Sequence, residues 1–193
     1  MAASDAKVAA NMQRLIAAFD REGEAIPRRA AKALGRYGAA AVPALRNEIR
    51  SSPSVRRRRW AAHALGHIPL PSARRALKRA LRDPNMSVRL HAVRSVARIG
   101  TPALARSIIP LANDPSGGVR VNAIDVLAQM KARGAGAAIL RALRDSKWYV
   151  RLSALRAAVS LEVEVPRRLL TRSERDPRSG IRSAARACLC RQA

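Results

Sequence analysis

The stretch 82-RDPNMSVRLHAVRSVARIG-100 sets a turn-forming Asp-Pro ahead of a Val-Arg and an apolar pattern of helical spacing. It returns as 113-NDPSGGVRVNAIDVLAQM-130, 144-RDSKWYVRLSALRAAVSL-161 and 175-RDPRSGIRSAARACLC-190. Asp83, Asp114, Asp145 and Asp176 fall 31 residues apart, as do Val88, Val119, Val150 and Ile181, and Arg89, Arg120, Arg151 and Arg182. A small residue extends the register toward the N-terminus: Ala30, Ala61, Ala92, Ala123, Ala154 and Ala185. Four residues after it stand large apolar side chains such as Leu34, Leu65, Val96 and Leu127. About six copies fill nearly all of the 193 residues, which is the mark of an internal repeat.

Each copy holds two helical patterns. The first is the shorter: 73-ARRALKRALR-82, 103-ALARSIIPLAN-113, 135-AGAAILRALR-144 and 166-PRRLLTRSER-175. The second starts near the Val-Arg and runs three to four turns. Asp-Pro or Asp-Ser separates the two, because Asp bonds nearby backbone amides and Pro presets φ for a turn or a first helical position. Gly-Thr-Pro at 100–102 and Arg-Gly-Ala at 133–135 end a second helix and open the next copy. A single helix pair cannot bury its apolar stripe, whereas stacked pairs share a continuous core. The expected fold is therefore all-α. It is a solenoid of about six helix pairs in one domain, with copies over 1–38, 39–69, 70–100, 101–132, 133–162 and 163–193.

Composition agrees with helices and points to a charged partner. Apolar residues make up 48% of the chain, much of it Ala, while aromatics are 3%, too few for an all-β domain. Lys and Arg number 38 against 13 Asp and Glu, a net charge of +25. Such an excess calls for a polyanionic or acidic partner. Cys188 and Cys190 are two residues apart, so on a helix they diverge and cannot bridge each other. The absence of a disulfide framework suits a reducing compartment, and a cytoplasmic location is expected. The N-terminal MAASDAKVAANMQRLIAAFD reads as an amphipathic helix of the fold rather than a signal peptide. No apolar run approaches the ~18 residues of a membrane span.

The Asp-Pro-x-x-x-Val-Arg…Ala…Leu pattern at this period resembles short HEAT repeats of the kind found in phycobilisome-lyase-type proteins. The resemblance covers essentially the whole chain and is strongest from Asp83 onward. It implies a right-handed superhelix in which the Asp and Arg side chains form a hydrogen-bonded ladder, here Asp83/Arg89, Asp114/Arg120, Asp145/Arg151 and Asp176/Arg182. A carboxylate near a helix start can satisfy both the Arg and nearby amides. The N-terminal copies depart from the pattern: Ser52-Pro53 replaces Asp-Pro, and Pro27-Arg28 replaces Val-Arg.

In solenoids of this type the second helices line the concave face, and the period resolves that face into columns. One runs Arg29, Trp60, His91, Asn122, Ser153, Ala184; the next Lys32, His63, Arg94, Asp125, Arg156, Ala187; a third Arg36, His67, Arg98, Gln129, Ser160, Arg191. These positions avoid the apolar stripe and are expected to meet solvent. All three histidines and Trp60 lie in the N-terminal half, where 56-RRRR-59 opens a second helix. The expected site is a basic concave groove built from Arg28, Arg29, Lys32, Arg36, Arg58, Arg59, Trp60, His63, His67, His91, Arg94, Arg98 and Arg156. Arg forks suit phosphates and carboxylates, and Trp60 suits stacking on a base or packing against an Arg. Asp125 is expected to pair with Arg94 and Arg156. A second basic surface on the first helices, including Arg74, Arg75, Lys78, Arg79, Arg82, Arg141, Arg144, Arg167, Arg168, Arg172 and Arg175, reads as solvated faces.

His63 and His67 have chelating spacing, but no acid or Cys completes a metal site, so no metal or cofactor is expected. Trp148-Tyr149 reads as packing on the ridge between helices, with an exposed interaction anchor as the alternative. No catalytic triad, phosphate loop or carboxylate pair appears. The HEAT-like DNA glycosylases carry an Asp on a basic concave face, which Asp125 resembles, but the aromatics that hold the nucleotide there have no counterpart beside Asp125. The expected function is non-enzymatic binding of a polyanion. A nucleic-acid backbone, foremost DNA bound without sequence preference, leads; an adaptor for an acidic protein is the rival reading. The chain is expected to act as a monomer.

Overall fold

The computed structural model describes residues 2–192, with side chains from residue 5 to 192; Met1 and Ala193, at the ends of the first and last expected copies, lie outside the described residues. The chain is an all-α solenoid, with twelve α-helices and no strand among the described residues. Two compact units divide it, Met1–Gly100 and Thr101–Ala193.

The first unit contains α1 (Ala2–Ala17), α2 (Ala25–Arg36), α3 (Val42–Ser51), α4 (Val55–Leu65), α5 (Pro71–Ala80) and α6 (Met86–Ile99). The second helices α2, α4 and α6 pack side by side, and the first helix α3 packs on α5. Their seam is the Ala column: Ala30, Ala61 and Ala92 are buried, followed one turn on by buried Leu34, Leu65 and Val96. The missing bulk at Ala lets neighbouring helices approach, and the larger side chains fill the groove beside it.

The second unit contains α7 (Ala105–Ile108), α8 (Gly117–Gln129), α9 (Gly136–Ala142), α10 (Trp148–Leu161), α11 (Arg167–Glu174) and α12 (Ser179–Gln192). Here α10 packs between α8 and α12 over Ala123, Ala154 and Ala185, all buried. The helix expected over 103–113 is reduced to the single turn of α7, flanked by 3-10 segments at Pro102–Leu104 and Ile109–Asn113. Pro110 removes a backbone donor and crowds the preceding turn, so a continuous α-helix cannot run through it.

The turn between paired helices is built the same way each time. Asp83 Oδ1 accepts the Asn85 amide at 2.9 Å, Asp114 that of Ser116 at 2.8 Å, Asp145 that of Lys147 at 2.8 Å and Asp176 that of Arg178 at 3.0 Å. Each carboxylate thereby satisfies an amide donor ahead of a helix start. At the other end of the second helices, positions 100, 131 and 162 all adopt left-handed φ, of 66°, 50° and 54°. Only Gly100 does so without a Cβ to strain.

Candidate functional site

The Arg that follows each turn works in two directions. Arg120 Nη1 donates to the carbonyls of Asp114 and Pro115 in its own turn (2.9 and 3.1 Å), while its Nε and Nη2 grip the Asp145 carboxylate of the next copy (2.6 and 2.8 Å). Arg151 repeats this with Asp145 O and Ser146 O, and with Asp176 at 2.7 Å. Arg89 holds the carbonyls of Asp83 and Pro84, and Arg182 those of Asp176 and Pro177. Within one copy, then, Arg meets its Asp through the backbone carbonyl; the carboxylate bonds run from Arg120 and Arg151 to the following Asp.

Arg58 belongs to this set. It donates to Ser52 O and Pro53 O, and to both oxygens of Asp83 at 2.7 and 3.2 Å. It is therefore a structural strut rather than a free binding residue, despite the lost Asp-Pro of its own copy. The signal was in the sequence, since Arg58 stands one period before Arg89. These bonds shift protonation as charge pairing requires. The Asp83 and Asp145 hydrogen bonds raise Arg58 and Arg120 above the usual arginine value. Burial alone would push Asp145 and Asp176 up, yet hydrogen bonds from Arg120 and Arg151, and from the turn amides, hold both below the usual carboxylate value.

The rest of the 56–59 run is also engaged. Arg56 Nη1 donates to Asp20 O and Arg21 O at 3.2 and 2.7 Å, Arg57 Nε grips Asp20 at 2.8 Å, and Arg59 lies 4.9 Å from the Trp60 ring centroid and 3.8 Å from Glu24. Glu24 also pairs with Arg28 at 2.8 Å. The run secures the 18–24 loop, and Arg28 and Arg59 are partly neutralised at the rim. Arg29, Lys32 and Arg36 on α2, and Arg98 on α6, are exposed and make no ion pair among the described residues. Arg94 is exposed on α6 beside them.

Between these cations lies an aromatic cluster. Trp60 is 1% exposed, so it does not offer a stacking surface to a ligand. Position 60 sits on α4, between α2 and α6, where a large ring is covered from both sides. Its edge-on neighbours are His63 (5.3 Å between centroids) and His91 (5.7 Å); His63 in turn meets His67 (5.3 Å) and His91 (6.0 Å). The three imidazoles are half-buried. Burial first, then the positive charge of Arg98 and the neighbouring rings, lowers His63 to about 3. Burial with Arg98 and Lys32 lowers His67, and burial with Arg59 and Arg94 lowers His91, against the Ser87 carbonyl and Glu24, which favour its protonated form. All three rings are therefore neutral near pH 7. Trp60 Nε1, His67 Nε2 and Ser95 Oγ are buried without a partner among the described residues. No group of three or more His, Cys, Asp or Glu among those residues converges as a metal site would.

Two glycines make room for the cluster, and both went unnoticed in the sequence although they stand one period apart. A Cβ on Gly35 would lie 2.4 Å from His67 Cβ, and one on Gly66 would lie 2.6 Å from Ser95 Oγ and 2.9 Å from Arg98 Nη1. Only Gly lets α2 approach α4, and α4 approach α6, this closely.

The same columns in the second unit look different. Ser153 is 5% exposed and donates to Asp125, so it does not meet solvent as expected. Asp125 makes no ion pair with Arg156 among the described residues; Arg156 and Gln129 are exposed. Asn122 donates to Gly118 O at 2.8 Å, and Arg191 pairs with Glu162 at 3.0 Å. Trp148 is 42% exposed, with Tyr149 edge-on and the Arg178 guanidinium 5.2 Å from its ring. Both cysteines are free; Cys188 is buried and donates to Leu155 O at 3.4 Å.

Two sequence-family descriptions match: HEAT repeats over residues 42–114 and 105–190, and the PBS lyase HEAT-like repeat over 26–49. The chain belongs to the HEAT-repeat family. No curated protein matches it in sequence. Among solved structures, the Escherichia coli protein YibA is similar with a TM-score of 0.75 at 21% identity, over 90% of this chain and 67% of that one. The complex of CpcE and CpcF of phycocyanin lyase from Nostoc sp. PCC7120 gives 0.59 at 24% identity, over 90% and 74%. A designed armadillo repeat protein in complex with the peptide (KR)4 gives 0.60 at 16% identity, over 93% and 98%. At these identities the likeness is one of fold. No helix is long and apolar enough to cross a membrane among the described residues.

Proposed function

We propose that this chain is a non-enzymatic cytoplasmic scaffold that binds a polyanion, foremost the backbone of a nucleic acid, on the second-helix face of its first unit. The observation that carries this reading is the set Arg29, Lys32, Arg36 and Arg98, exposed and without acidic partners among the described residues. Around His63, His67 and His91, neutral rings leave the anion to the guanidinium and ammonium groups, which bind phosphate by charge-assisted bonds. Such contacts read the backbone and carry little sequence information. The test is a mobility shift titrated with salt, using duplex DNA, RNA and heparin side by side. Binding should weaken steeply with salt for every sequence tried. Binding that ignores salt, or that singles out one base sequence, contradicts the proposal.

A second reading has its own support. The designed armadillo protein of similar fold holds an alternating basic peptide, (KR)4. A HEAT face of opposite charge suits an acidic peptide in the same way. In that case one protein should be captured after nuclease treatment and at moderate salt, with the same loss on substituting Lys32 and Arg98.

A further inference from the structure

On the first helices of the same unit, the exposed arginines that resemble a solvated face enclose a cavity of about 670 Å³. It opens where α3 and α5 end and the Asp83-Pro84 turn begins. Arg50, Arg75, Lys78, Arg79 and Arg82 line it, all exposed and none in an ion pair among the described residues. The one acid in its wall is Asp83, whose oxygens are already taken by Arg58 and the Asn85 amide. Ser52 Oγ, also in the wall, is buried without a partner among the described residues.

Cations commonly gather at helix C-termini, but the numbers do not balance here. Two helix ends supply roughly −0.5 charge each, against five unpaired cations in one cavity. These side chains are exposed and partly screened by solvent, but their shared field favours an anion of several charges over a single one. An orthophosphate is too small to reach five side chains around such a volume. Of the wall, Ile49 and Pro84 are the apolar members and none of the lining residues is aromatic, so a nucleoside base finds no aromatic face to stack on.

The geometry points to a site for a compact oligophosphate, a chain of about three or more phosphates held by guanidinium forks. It lies on other helices than the face proposed above and does not depend on that reading. The second unit supplies an internal control. Three periods further along, Arg144, Arg151, Arg172, Arg175, Asp176 and Pro177 line a smaller cavity of about 440 Å³. Asp145 also stands in that wall, beside Asp176, so the free positive charge is lower.

The experiment titrates the intact protein with sodium tripolyphosphate, orthophosphate and sulfate at matched ionic strength, by calorimetry and thermal shift. Tripolyphosphate is expected to bind one site at least about tenfold more tightly than orthophosphate, since each added charge-assisted bond contributes on that scale. It should also raise the melting temperature in proportion to occupancy. R79A/R82A should abolish this binding, while R172A/R175A and K32A/R98A should keep it. These side chains are exposed, and an unchanged circular dichroism spectrum verifies the fold of each variant. Equal, weak binding of all three anions, or undiminished binding by R79A/R82A, overturns the assignment. So does a loss of duplex DNA affinity in R79A/R82A as large as its loss of tripolyphosphate, which would make the cavity part of a nucleic-acid track. A K32A/R98A protein that loses DNA but keeps tripolyphosphate separates this site from the proposed function.

Discussion

The second helices of the two units occupy equivalent repeat positions, yet they present different chemistry. In the first unit the columns hold Arg29, Lys32, Arg36 and Arg98, without acidic partners among the described residues, around half-buried imidazoles. In the second they hold Ser153 bonded to Asp125, Arg191 paired with Glu162, and the uncharged Asn122 and Gln129. The ladder beneath is the same in both: Arg58 to Asp83 in one, Arg120 to Asp145 and Arg151 to Asp176 in the other. Columns that repeat hold the helices in register, and columns that stop repeating are free to serve a partner.

The sharpest way to break that contrast is charge reversal on each face. Removing two phosphate contacts at a slope of roughly 0.9 per contact costs about two-hundredfold in duplex DNA affinity near ~50 mM salt. K32E/R98E should lose at least that much in a mobility shift and flatten the salt dependence. Q129E/R156E in the second unit should stay within about threefold. Similar losses from both pairs would mean that the two faces do not differ in function.

The ladder should answer oppositely, with equal effects in both units. R58A strips the buried Asp83 of its guanidinium, and R151A takes from Asp176 its closest one, with Arg178 remaining at 3.8 Å. Each should cost about 3 kcal/mol of unfolding free energy, as expected when one partner of a buried ion pair is removed. Urea melts measure it. A negligible loss at R58A would return that residue to the binding set.

Packing distinguishes the units next. G35A drives a methyl to 2.4 Å from His67 Cβ, so it should destabilise by about 2 kcal/mol, more than the helix propensity of Ala returns. G180A in α12 meets Leu152 at 3.9 Å, an ordinary contact, and should be neutral or stabilise by about 0.5 kcal/mol. Equal melting temperatures would show that the helices bearing the imidazoles separate easily.

The fold was legible because its signals recur: a 31-residue register needs only counting, and it carries Asp83, Arg89 and Ala92 through every later copy. Parts of the site were legible for the same reason. Lys32, Arg36 and Arg98 meet solvent as the columns imply. Trp60 and Ser153 did not follow, because a column fixes which side of a helix a residue occupies but not how closely the next helix covers it. The 56–59 run misled for another reason. Arg58 and Arg59 read as part of the groove, while the helix spreads the four arginines over three neighbours: Arg56 and Arg57 to the Asp20 loop, Arg58 to Asp83, Arg59 to Trp60 and Glu24. The Asp20 and Glu24 contacts come from outside the repeat pattern, so no register could announce them.

Acid provides the subtlest contrast, since the three histidines all lie in the first unit. His63, His67 and His91 titrate below the ordinary value of 6.5. Between pH 6.5 and the folded value of about 3 for His63, the unfolded chain takes up protons that the folded unit refuses. The stability these rings contribute is therefore complete above pH 6.5 and is lost as pH falls below it. In the second unit the shifted carboxylates are Asp145 and Asp176, held under 3.8, so their contribution persists until pH falls below that value. The first unit should loosen first on acidification. Each unit has one tryptophan, which makes the order visible: Trp60 fluorescence, isolated in W148F, should shift red between about pH 6 and 4, ahead of the change seen through Trp148 in W60F. H63Q should narrow the gap by removing the most strongly shifted ring. Simultaneous transitions in both variants would mean that the buried imidazoles carry no special acid sensitivity.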